Sequence, residues 1–121
     1  MTAKINGADW VAESILVTMK DGLINITGIA ADDKEISITI QDDTEGEYTL
    51  SLVSPHVALY APEKNSNAVF SSNGATSAGG EVMLETIDMD EKELTGSFSF
   101  KGVEPGGTES VEITAGNFTK V

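Results

Sequence analysis

A chain of 121 residues with 40% hydrophobic side chains is sized for one domain, residues 1–121, and is too apolar for a disordered acidic tail. Twenty acidic residues against seven basic ones leave a net charge of −13, and every basic residue is lysine, so nucleic acid and anionic membrane surfaces are excluded as partners. Cysteine is absent, which removes disulfides and thiolate metal sites, and no apolar run approaches the ~20 residues of a membrane-spanning helix.

Thr2 to Trp10 reads as a first strand and turn around Asn6-Gly7, so no leader peptide is expected in the sequence as it stands. Asp21-Gly22 joins Ile15–Lys20 to Leu23–Ile29 as a hairpin, because Asp and Gly accept the positive φ of a tight turn. After Ala31-Asp32-Asp33-Lys34, Ile36, Ile38 and Ile40 alternate with Ser37, Thr39 and Gln41. Asp42 to Gly46 then turns the chain into Tyr48, Leu50 and Leu52, completing an antiparallel meander.

Ser54–Gly80 breaks this rhythm. Val57–Tyr60 and Ala68–Phe70 are expected as short edge strands, and Ser71–Gly80 as an extended loop or a pairing strand with little side-chain packing. Val82, Leu84 and Thr86 resume the alternation, Asp88–Lys92 forms a turn, and Leu94, Gly96, Phe98 and Phe100 mark the firmest strand. Beyond Pro105-Gly106-Gly107, Val111, Ile113 and Ala115 face inward from the last strand. The fold expected is all-β: an antiparallel sandwich or flattened barrel of about eight to ten strands with mostly meander connections.

The order Leu94-Thr95-Gly96-Ser97-Phe98-Ser99-Phe100, Gly-rich turn, Val111-Glu112-Ile113-Thr114, Gly116-Asn117-Phe118 resembles a family of small uncharacterised all-β domains of Bacteroidota envelope lipoproteins. The opening Thr2 to Trp10 looks like the start of the same group, so the resemblance covers nearly the whole chain. It implies an all-β fold and an exposed location. It carries no catalytic motif, and this chain departs from the usual member by lacking the lipoprotein leader.

Chemistry-bearing motifs are sparse. Asp88-Met89-Asp90-Glu91-Lys92-Glu93 begins like a calcium loop, but the sixth and twelfth positions are Glu93 and Ser99 where Gly and Glu are needed, so a solvated turn is expected. His56 is the only histidine, no Gly-x-Ser-x-Gly elbow is present, and Gly79-Gly80 and Gly106-Gly107 lack a following lysine and helix. Neither a catalytic residue, a cofactor nor a resident metal is expected. Trp10 is expected to plug one end of the core, the alternative being a sugar-stacking platform with Tyr48 and Tyr60. Asn25-Ile26-Thr27 and Asn117-Phe118-Thr119 fit the glycosylation pattern but fall in expected strands.

The remaining contact surface is Ser54–Gly80, with His56, Tyr60, Phe70 and Asn73 as candidate partner contacts. The expected function is a non-enzymatic structural or binding module on an exposed surface, cell envelope or extracellular, with a protein or surface glycan as partner. The alternative is a cytoplasm-made subunit or decoration protein of a large particle, a virion or injection apparatus, which would self-associate.

Overall fold

The computed structural model describes residues 1–62, 69–88, 90–91, 93–104 and 109–120. Among them are eleven strands and no helix: β1 (Thr2–Ile5), β2 (Ala8–Val11), β3 (Ser14–Lys20), β4 (Leu23–Ile29), β5 (Glu35–Ile40), β6 (Gly46–Leu50), β7 (Val57–Ala61), β8 (Phe70–Ser71), β9 (Gly79–Asp88), β10 (Glu93–Val103) and β11 (Ser110–Lys120). Every pairing is antiparallel. Nine strands follow one path, β2-β1-β11-β10-β8-β7-β5-β4-β3, curled into a half-barrel, while β9 pairs with β10 and β6 with β9.

The two expected tight turns are present, with φ of 49° and 85° at Asn6-Gly7 and 53° and 76° at Asp21-Gly22. Positive φ at both central residues matches the right-handed twist of the flanking strands and fixes their register. Alternation then sends Ile24, Ile26, Ile36, Ile38 and Ile40 wholly into the core, where they meet Leu84, Leu94, Phe98, Phe100, Ile113 and Phe118 from the other side of the path. Burial of each such side chain is worth about 1.5–3 kcal/mol.

Both edges of the path come from one stretch of chain. The Ala12 N–H donates to the Met1 carbonyl at 2.9 Å and the Glu13 N–H to the Ile29 carbonyl at 2.8 Å, so neighbouring residues hold opposite ends of the sheet. Trp10, 3% exposed, plugs this corner as expected. Gly28 makes room for it, since a Cβ there would sit 2.9 Å from Trp10 Cη2 and 2.5 Å from Met1 Sδ.

Strict alternation fails at two bulges. Phe98 pairs with Gly116 and Phe100 with Ile113, which leaves Thr114 and Ala115 opposite Ser99. Ala115, with φ of 50°, is exposed instead of inward, and Gly116 and Phe118 take the buried face. Likewise Thr95 pairs with Thr86 and Gly96 with Leu84, so Glu85 is the extra residue. Thr86 therefore points out and Ile87 packs against the core.

Three other expectations change. β6 ends at Leu50, leaving Leu52 47% and Val53 90% exposed. β7 is an interior strand between β5 and β8 rather than an edge. Ser71–Gly80 pairs only at its ends, Ser71 in β8 and Gly79-Gly80 in β9; between them Ser72 is buried, and the Gly74 N–H to Ser71 and Ala78 N–H to Ala75 carbonyl bonds close two successive turns in place of an extended loop. Ala68 and the Pro105-Gly106-Gly107 turn lie outside the described residues.

Candidate functional site

The four residues expected to meet a partner do not form one surface. Tyr60 is a correction: it lies inward on β7, is 5% exposed, and its ring stacks on Phe70 with centroids 6.1 Å apart. Burial pushes the Tyr60 hydroxyl above its ordinary pKa of 10.0, with Lys34 opposing and Asp32 adding to that shift. Phe70 is half-buried, and it packs over Gly102, where a Cβ would approach Phe70 Cβ to 2.9 Å.

His56 sits four residues before Tyr60, about 13 Å away by strand rise. Its Nδ1 accepts the Gln41 N–H at 3.1 Å, which assigns the remaining ring proton to Nε2, and its ring meets Tyr48 edge-on at 4.8 Å. Ser54 Oγ accepts the His56 N–H and donates to the Thr49 carbonyl. Asn73 is tied to its own turn, its N–H donating to Ser71 Oγ while the Ser71 hydroxyl donates to Asn73 Oδ1. These bonds pin the segment to the sheet.

The acidic turns are similarly occupied with themselves. Asp42 Oδ1 accepts the N–H groups of Asp43 and Thr44 at 2.7 and 3.2 Å, and Asp88 Oδ1 those of Asp90 and Glu91 at 3.1 and 3.0 Å. Among the described residues, no three acidic or histidine side chains gather as a cation site.

An open cleft of about 440 Å³ lies where β2 diverges from the Ala30–Lys34 turn. Its floor is Trp10, whose Nε1–H donates to the Lys34 carbonyl at 3.0 Å. Two ion pairs rim it, Lys4 with Asp9 at 2.9 Å and Lys34 with Asp32 at 2.5 Å. The bond from Lys34 lowers the Asp32 carboxyl pKa, and the same bond raises that of Lys34. Both pairs are solvated and contribute little to stability. With its indole buried, Trp10 offers no stacking face for a sugar.

The larger feature is the outer face of β3, β4, β5 and β7. Alternation sets Asn25, Thr27, Ser37 and Thr39 at its centre. Asn25 Nδ2 donates to Thr39 Oγ1 at 2.9 Å, the Thr27 hydroxyl to Asn25 Oδ1 at 3.0 Å, and Thr27 and Ser37 hydroxyls approach to 3.4 Å. Leu16 and Ile29 flank this ladder, 64% and 36% exposed. On the outward positions of these strands the only charges are Lys20 and Glu35, both at strand ends. The remaining strands instead direct Lys4, Asp9, Glu47, Glu81, Lys101 and Glu112 outward.

A face uncharged except at its strand ends, on a domain of net charge −13, is a segregation that only the pairing order creates. The signal was present in Ser14, Thr18, Asn25, Thr27, Ser37 and Thr39 at alternate positions of three successive strands, but total charge conceals it. No curated protein and no solved structure matches the chain. A family model does, over residues 1–121, and the chain belongs to that family, described as a domain of unknown function, DUF6252.

Proposed function

We propose that the domain is a non-catalytic binding or structural module displayed on an exposed surface, the cell envelope, and that it meets an uncharged protein or glycan partner through the outer face of β3, β4, β5 and β7. The observation carrying this reading is the hydrogen-bonded Asn25, Thr27, Ser37 and Thr39 ladder, free of charge within a strongly acidic body. An approaching neutral surface encounters no ionic desolvation there, while the acidic remainder keeps the domain soluble. The resemblance to envelope lipoprotein domains of Bacteroidota supports the location.

The test is fractionation of native cells followed by protease treatment of intact cells. Envelope association with external cleavage is expected, and recovery only from the interior of intact cells would sink the location. Thr27→Glu with Thr39→Glu should release the partner while the domain stays folded. A second reading, a subunit of a large particle, draws on the outer edges of β3 and β6, which no strand pairs with among the described residues. Native protein sedimenting with a large assembly would favour it.

A further inference from the structure

We infer that β3 is a self-pairing edge, joining antiparallel to the β3 of a second copy about a two-fold axis midway between the two Val17 residues. The hairpin sets which backbone groups are free. With Lys20 and Leu23 flanking a two-residue turn, Lys20, Thr18, Leu16 and Ser14 bond to β4, so Ile15, Val17 and Met19 aim N–H and C=O away from it. Among the described residues no strand occupies that edge.

The edge lacks the usual guards against addition. Its register with β4 is unbroken from Ser14 to Lys20, it contains neither proline nor glycine, and its one charge, Lys20, is at the end. Ile15, Val17 and Met19 remain half-buried on the inner side, and Leu16 is 64% exposed on the outer. A further strand would cover all four.

Self-complementarity selects a second copy as that strand. Pairing Val17 with Val17, and Ile15 with Met19 in both directions, matches every free N–H of these residues to a free C=O of the other copy. The same register places Leu16 opposite Thr18 and Lys20 opposite Ser14, one residue from Glu13 of the second chain. Two bodies of charge −13 repel, and this edge adjoins the uncharged face where repulsion is least. The result joins two such faces into one surface. The inference deepens the surface-module reading but can fail separately, since a monomeric domain would overturn it and leave that reading standing.

The chain has no cysteine, so one introduced thiol reports cleanly. Residues facing across a hydrogen-bonded antiparallel pair have Cα atoms about 5.5 Å apart, within the range a disulfide spans. Val17→Cys should oxidise to a covalent dimer far faster than Ser99→Cys, an exposed control on β10, away from the β3 edge. Sedimentation of the wild-type chain should show a concentration-dependent dimer that added salt strengthens by screening. Val17→Pro should abolish it, because the N–H removed is not one that bonds β4. A wild-type monomer at all concentrations, equal cross-linking at both cysteines, or a dimer surviving Val17→Pro would each overturn the inference. If Val17→Pro does not fold, the cysteine comparison decides alone.

Discussion

Phe98 and Phe118 stack nearly parallel, with ring centroids 6.1 Å and planes 20° apart, because each covers a glycine on the other's strand. Phe98 pairs across the ladder with Gly116 and Phe118 with Gly96. A Cβ on Gly116 would lie 2.5 Å from Phe98 Cδ2, and one on Gly96 would lie 2.5 Å from Phe118 Cζ. The reciprocal arrangement gives a physical reason for the spacing of glycine and phenylalanine in both segments.

Gly96→Ala and Gly116→Ala should therefore each lose about 1–3 kcal/mol by overpacking. Phe98→Ala and Phe100→Ala should lose about 3–5 kcal/mol each, whereas Ser99→Ala, on the exposed side of the same strand, should stay within about 1 kcal/mol. Urea denaturation measures all five. Equal losses at Phe100 and Ser99 would contradict the one-sided burial of β10.

At Ala115 the expected change is a gain. Its φ of 50° strains an alanine, and its side chain is exposed, so Ala115→Gly relieves the backbone without sacrificing core contacts. Thermal and urea unfolding should show about 0.5–1 kcal/mol of added stability, and a loss would contradict the bulge conformation.

Tyr60 makes stability sensitive to alkaline pH. Burial raises its pKa in the folded state above the ordinary 10.0, so the unfolded chain releases this proton first. The contribution is complete below 10.0 and disappears as pH rises through the folded value. Lys34, also raised, adds in the same direction, though its exposure weakens the effect. Urea midpoints measured across that range should fall with pH, and Tyr60→Phe should flatten the slope. An unchanged slope in the variant would assign the effect elsewhere.

Chelator treatment should leave the melting temperature nearly unchanged, because Asp42 and Asp88 bond the N–H groups of their own turns. Calcium and magnesium at equal concentration should produce equal small rises by screening the net charge of −13. A large rise specific to micromolar calcium would reassign these turns as ligands.

The sequence by itself determined the strand class and most inward faces, because both are local: alternation of Ile36, Ile38 and Ile40, and the turn chemistry of Asn6-Gly7 and Asp21-Gly22, act over a few residues. Trp10 as a corner plug followed from size and hydrophobicity alone. The failures were non-local. Ala115 and Thr86 were misdirected because a bulge depends on which partner strand lacks a residue, and no single strand carries that information. Tyr60 passed for a surface residue until β8 paired beside β7 and laid Phe70 against it. The uncharged face and the open edge of β3 were decided only by tertiary structure, since segregation of charge and vacancy at an edge are properties of strand order, which long-range pairing sets.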